Sequence, residues 1–153
     1  MNIIIRTATL SDIKTLLQFE QGVIKAERVF DSTIKKSCTH YYDLEKMITD
    51  NNVQLVVAES GEEIIGCGYA RIENANHFFE YSKYSYPGFM YVKPEHRGKG
   101  VNKKIIEAIK QWSLSKGITE LRLQVYYDNM NAVKAYEKAG FKNLIVEMRM
   151  TAN

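Results

Sequence analysis

Apolar side chains recur along this chain with two periods. Val101, Ile105, Ile109 and Trp112 fall at i, i+4, i+8 and i+11, with Lys103, Lys104, Glu107 and Lys110 between them. That stripe predicts an amphipathic helix, and Gly117 stands where a left-handed cap would close it. Ile13, Leu16 and Leu17 predict an earlier helix, opened by a Thr9–Asp12 capping box and ended or bent at Gly22. Leu44, Met47 and Ile48 predict a second helix, and Ala132 to Ala139 a short last one stopped by Gly140. Val23–Thr39 has no period and reads as irregular.

The other period is that of strands. Ile3–Ile5 predicts a short first strand; Val53–Glu59 and Glu63–Ile72 predict two more, joined by a turn at Ser60-Gly61-Glu62. Gly66 and Gly68 inside the second of these point to a bulge or a close backbone approach. Phe89–Val92 reads as a strand after a tyrosine-dense connection, Glu73–Pro87, that holds Tyr81, Tyr84 and Tyr86. A connection of that length can fold over a binding site. Leu121, Leu123 and Val125 alternate with polar residues as in a half-buried strand, and Leu144–Met150 predicts the last strand. Helices first, then consecutive strands, then alternating strands and helices imply an α/β fold. Its central sheet is expected to be mixed and mostly antiparallel, flanked by about four helices. No repeat or composition shift divides residues 1–153, so one domain is expected over that range.

Composition narrows the function classes. The net charge of +3, from 21 basic and 18 acidic side chains, is too small to argue for a nucleic-acid partner. No apolar run approaches the roughly 20 residues of a membrane span, and the N-terminus lacks the pattern of a signal peptide. Cys38 and Cys67 with three histidines make neither a disulfide framework nor a conventional zinc site. A reducing, cytoplasmic compartment and no metal are therefore expected.

Chemistry concentrates in Val92-Lys93-Pro94-Glu95-His96-Arg97-Gly98-Lys99-Gly100-Val101, which leads from a strand through a glycine-rich turn into the basic helix. Glycines let the backbone turn its N–H groups toward an anion, and the helix dipole adds positive potential. Arg97, Lys99, Lys103 and Lys104 supply charge, so the turn suits a phosphate. A Walker loop needs Ser or Thr after Gly-Lys, but Gly100 is followed by Val101. A dinucleotide fingerprint needs three glycines at the first strand, and only Gly98 and Gly100 are present, late in the chain.

Arg97-Gly98-Lys99-Gly100-Val101-Asn102, after a strand ending in Val-x-Pro, resembles the acetyl-CoA site of the GNAT acetyltransferases. Their pattern is Arg or Gln, two residues, Gly, one residue, then Gly or Ala. A second block of that family, Asn-x-x-Ala-x-x-x-Tyr-x-x-x-Gly-Phe, is met by Asn129, Ala132, Tyr136, Gly140 and Phe141. Ile5-Arg6-x-Ala8-x-x-x-Asp12 is similar to its opening strand and helix.

The resemblance implies an acetyl-CoA-dependent N-acetyltransferase acting on an amine-bearing acceptor by direct attack. Backbone groups of Met90, Tyr91 and Val92 would pair with the pantetheine arm, and amides from Gly98 through Lys99, Gly100, Val101 and Asn102 to Lys103 would hold the pyrophosphate, with Arg97 beside them. Asn129 would anchor the pantetheine or the adjacent loop. Tyr136 would protonate the departing thiolate, a role that suits a phenol with a pKa of about 10. Relatives are monomers or dimers, so the resemblance leaves a homodimer open.

Three features depart from the family pattern. Asn102 stands where Gly or Ala is usual. Gln124 occupies a position where relatives that acetylate protein N-termini often carry a basic glutamate, leaving Glu20, Glu27, Glu80 and Tyr126 as candidate bases. After Gly140-Phe141 only residues 142–153 remain, enough for one strand where many relatives have a hairpin. The acceptor site would then be open or closed by a partner subunit. Gln124 and the short end also leave a second reading open: a weakly active module that senses acyl-CoA. Glu20, Glu27 and Asp31 border the acceptor side in such a fold and would attract a cationic amine.

Overall fold

A computed structural model describes residues 1–153. Four strands, β1 (Ile3–Thr7), β2 (Val53–Ser60), β3 (Glu63–Asn74) and β4 (Lys83–Val92), form one antiparallel sheet in chain order. Helices α1 (Ile13–Glu27) and α2 (Leu44–Thr49) lie between β1 and β2; α3 (Val101–Ser115) and α4 (Met130–Lys138) follow β4. The α/β reading holds. No helix is long and apolar enough to cross a membrane.

Period-2 alternation divides the sheet residues between two cores. Leu16 and Phe19 of α1 and Leu44 of α2 pack on Leu55, Val57, Cys67, Tyr69 and Phe89. Val101, Ile105 and Ile109 of α3 pack on Val56, Ala58, Ile65 and Ala70 from the opposite side. The Thr9–Asp12 capping box forms, with Thr9 N–H donating to Asp12 Oδ2 at 2.7 Å. Arg6 donates to both Asp12 oxygens at 2.8 and 2.9 Å, which fixes β1 against the start of α1.

The structure corrects several boundaries. Gly22 neither ends nor bends α1, which continues to Glu27 because tertiary packing holds it there. A Cβ at residue 22 would lie 2.7 Å from Tyr91 Cε2, so glycine admits the tyrosine ring. Strand β4 begins at Lys83, paired with Asn74, which cuts the Glu73–Pro87 connection to Ala75–Ser82. That turn sits at the end of β4 remote from Met90–Val92 and does not fold over them. The expected strand at Leu121–Val125 reduces to one parallel bridge, Ser85 to Leu121. The expected strand Leu144–Met150 pairs with nothing, and residues 142–153 make no backbone hydrogen bond.

Candidate active site

The site grows from the place where β4 and the segment after α3 part. Ser85 N–H donates to Glu120 O and Arg122 N–H donates to Ser85 O, both at 2.9 Å, the first rung of a parallel ladder. The next rung would need an N–H from residue 87, which is Pro87 and has none. No further backbone bond joins the two segments. The gap that opens there, between the unpaired edge of β4 as far as Val92 and the segment after Leu121, is the cleft.

A bulge shapes the β4 edge inside this cleft. Tyr69 pairs with Gly88 and Cys67 with Tyr91, so Phe89 and Met90 together oppose Gly68. Phe89 has φ of 52°, unusual for a residue with a Cβ. The extra residue reverses the alternation of the strand. Lys93 N–H donates to Ile65 O at 2.8 Å, so Tyr91, two residues earlier, also turns its backbone to β3, and Met90 and Val92 turn theirs to the cleft. Arg97 Nε donates to Val92 O at 2.9 Å, and its guanidinium lies 5.9 Å from the Tyr91 ring centre.

Beyond Arg97 the chain enters α3 through two left-handed glycines, Gly98 with φ of 75° and Gly100 with φ of 81°. A Cβ at either would meet nothing within 4 Å, so conformation and open access, not crowding, select glycine. The amides of Gly98, Lys99, Gly100, Val101, Asn102 and Lys103 have no intramolecular acceptor; the first bond of the helix is Lys104 N–H to Gly100 O. No side chain caps this end. Six consecutive free N–H groups at the positive end of a helix, beside Arg97, Lys99 and Lys103, are suited to a diphosphate. Asn102 is half-buried there and its amide has no partner within the protein.

Across the cleft, Asn129 Oδ1 accepts Ala132 N–H at 3.3 Å and so caps α4. Tyr136, one turn further along that helix, is half-buried, with its ring edge-on to Phe141 at 5.9 Å. Burial first, and the charge of Glu27 second, push its phenol up to about 12. The same two causes, in the same order, push Tyr126 up to about 12 and raise Tyr41. Tyr86 donates to Gln124 Oε1 at 3.2 Å, joining the cleft walls.

The four candidate bases separate clearly. Glu20 is fully buried and accepts from His40 Nδ1 at 2.6 Å and from the N–H groups of Tyr41 and Tyr42, each at 2.9 Å. It is a structural tie. Glu80 is exposed in the remote Ala75–Ser82 turn. Tyr126 donates to Asp31 Oδ2 at 3.3 Å. Glu27, the last residue of α1, is half-buried, and its carboxyl is raised by burial and then by Asp31. The sequence could not rank these four, because the tie to residues 40–42 and the ring of phenols around Glu27 are tertiary. Asp31 is held below the usual range, chiefly by Thr33, whose hydroxyl donates to it at 2.6 Å.

The chain matches the acetyltransferase (GNAT) family over residues 21–141. It is 38% identical over 72 residues to the thialysine N-epsilon-acetyltransferase of Bos taurus, a match covering 44% of this chain and 42% of the bovine protein. The match thus spans less than half the length of that relative. A mutant of the BH1408 protein from Bacillus halodurans superposes with a TM-score of 0.88 at 20% identity, over 98% of this chain and 99% of that one. A predicted acetyltransferase from Clostridium acetobutylicum, solved with acetyl-CoA, gives a TM-score of 0.68 at 18% identity over 98% and 96%.

Proposed function

Because this chain belongs to the acetyltransferase (GNAT) family, we propose that it moves an acetyl group from acetyl-CoA to a primary amine by direct attack. One observation carries the reading: the six free amides of Gly98–Lys103 open onto a cleft whose β4 edge is unpaired. The amides, with Arg97 and Lys103, would hold the pyrophosphate. Met90 and Val92, whose backbone groups turn to the cleft, would pair with the pantetheine arm as an added strand pairs with a sheet edge. Asn129 keeps its side-chain N–H groups free for the same arm, since only Oδ1 is used in the cap.

Acetyl-CoA supplies an activated thioester, and this chain's residues position and protonate. Glu27 takes a proton from the acceptor ammonium, leaving a neutral amine to attack. Its raised carboxyl makes it a better base than an exposed glutamate. The Met90 N–H, turned outward by the bulge, would stabilise the developing oxyanion. As the new C–N bond forms and the C–S bond breaks, Tyr136 gives its proton to sulfur, and the second proton released by the attacking nitrogen restores the phenol. Its phenol, at about 12, is protonated throughout the neutral range. The acceptor is a cationic amine, drawn by Glu27 and Asp31, in keeping with the amine acetylated by the bovine relative.

Calorimetric titration with acetyl-CoA, ATP and NAD tests the binding half. Binding of acetyl-CoA alone is expected, and equal binding of all three would overturn the assignment. A panel of polyamines, amino acids and amino sugars tests transfer, with Tyr136→Phe expected to lower kcat at least about tenfold.

A further inference from the structure

Glu20 is a fully buried carboxylate that the transfer reaction leaves unused. Taking such a group out of water is costly unless its oxygens are occupied. Its partners all come from one short segment. His40 Nδ1 lies 2.6 Å from Oε1, and the N–H groups of Tyr41 and Tyr42 donate to Oε2, each at 2.9 Å. Gln21, the next residue of α1, donates to Thr39 O at 3.0 Å. Three of these four bonds grip the backbone, so α1 sets where residues 39–42 run, whatever their side chains.

The Tyr42 ring carries that placement to β4. It stacks on the Phe89 ring at 4.6 Å between centres and meets Tyr69 edge-on at 5.7 Å. Tyr69 in turn covers Gly88, where a Cβ would lie 2.6 Å from its ring. Phe89 is buried and has φ of 52°. A residue with a Cβ stays in that sparsely populated region only where its surroundings over-determine it. Tyr42 supplies the ring stacked on Phe89 from outside the sheet.

We propose that Glu20 is a positioning residue for the β4 bulge: by fixing the Tyr42 backbone it holds the Tyr42 ring on Phe89, and so keeps Met90 turned to the cleft. Glu20 passes no proton and touches no substrate. The effect on rate rests on the reaction proposed above, in which the Met90 N–H stabilises the oxyanion; the effect on the bulge does not.

Glu20→Met keeps the bulk and removes both acceptors, and Tyr42→Leu removes the ring. Each is expected to lose the Phe89 Cα shift and amide–Hα coupling that report a positive φ. Each should also lower kcat about tenfold, since a misplacement of about 1 Å near the reacting atoms can cost a hundredfold. Combined, the two should cost no more than either alone, because they interrupt one path. Glu20→Gln should match the parent: its oxygen can accept both N–H groups, and its NH2 can donate to a neutral His40. Tyr42→Phe should also match it. Spectra and rates are taken well below the Tm of each variant, so that folded proteins are compared. If Glu20→Met does not fold, Glu20→Asp, which draws the acceptors back by one methylene, serves in its place.

A variant that lowers Tm but keeps the Phe89 signature and kcat would overturn the proposal, as would additive losses in the double variant. A hundredfold loss in Glu20→Gln would make Glu20 a proton carrier and overturn it equally. If the parent acetylates no amine, the proposed reaction falls, and the Phe89 signature alone decides the role of Glu20.

Discussion

Gly22 of α1 and Tyr91 of β4 meet with no room for a side chain between them: a Cβ at 22 would lie 2.7 Å from the ring. The ring is held by Phe19 at 4.7 Å between centres and by the Arg97 guanidinium. Gly22→Ala should gain about 1 kcal/mol in helix propensity and lose more by overpacking, about 1–3 kcal/mol. Urea unfolding is expected to show a net loss, and titration a weaker affinity for acetyl-CoA, because Tyr91 lies between Met90 and Val92. A more stable variant with unchanged affinity would show that the ring turns away freely.

Pro87 holds the cleft open by lacking one hydrogen. Pro87→Ala supplies the missing N–H, so the Ser85–Leu121 ladder can extend toward Leu123. Hydrogen exchange should then show new protection at residues 87 and 124, and acetyl-CoA should bind several-fold more weakly. Unaltered exchange and affinity would mean that something other than the ladder sets the gap.

Glu27 makes opposite predictions for stability and rate. Its carboxyl is raised above 4.5 in the folded chain, by burial first and Asp31 second. The folded state then holds a proton that the unfolded state has released, so stability falls as pH rises through that window and stays lower above it. Glu27→Gln should be more stable than the parent at pH 7, and no more stable below pH 4.5, where both carry a neutral group. Its kcat/KM should fall about a hundredfold and lose its acid limb. A variant that kept the acid limb would remove Glu27 from the reaction.

Gly98→Ala and Gly100→Ala each force a Cβ into the left-handed region, at a cost of about 1–2 kcal/mol. Open space surrounds both positions, so the protein should stay folded while affinity for acetyl-CoA drops. Thermal unfolding with and without acetyl-CoA separates the two effects. A ligand-induced shift in Tm equal to that of the parent would argue against a pyrophosphate on this turn.

Asp12 is held below the usual carboxylate range, first by the Arg6 hydrogen bond, against the opposing effect of burial. That stabilisation is complete above the ordinary value of 3.8 and is lost as pH falls through the lowered one. Asp12→Asn should cost about 2 kcal/mol at pH 7, with the gap to the parent narrowing in acid. Denaturant midpoints across this range provide the check.

The parts legible in the sequence are those whose partners lie close by or whose period is long. The stripe of α3, its glycine entry and the β2–β3 hairpin all came through, because Val101, Ile105 and Ile109 or Val53–Ser60 state their burial directly. The run of α1 past Gly22 did not, since the reason for that glycine is a ring 69 positions away. The start of β4 was hidden by Pro87 and Gly88, which read as a break. Pro87 is accommodated because its nitrogen faces the cleft. Leu144–Met150 alternates as a strand does but is not one in the structure, because alternation supplies no neighbour to pair with. The turn before α3 was readable down to Gly98 and Gly100, both of which take positive φ, whereas setting Glu20 aside required knowing that it is already engaged.

That engagement has a consequence for how the acceptor side can change. The Glu20 carboxylate binds His40, Tyr41 and Tyr42, so it closes the chain between α1 and α2 into a loop with fixed ends. Between those ends Arg28 donates to Lys35 O at 3.0 and 2.7 Å and to Ser37 O at 3.0 Å. A change of length from 32 to 38 would act on those bonds and on the Thr33 hydroxyl that donates to Asp31, and not on α1 or the turn at Gly98–Gly100. On the reading proposed above, acceptor preference would change through this one surface loop while the turn proposed for acetyl-CoA is left as it is.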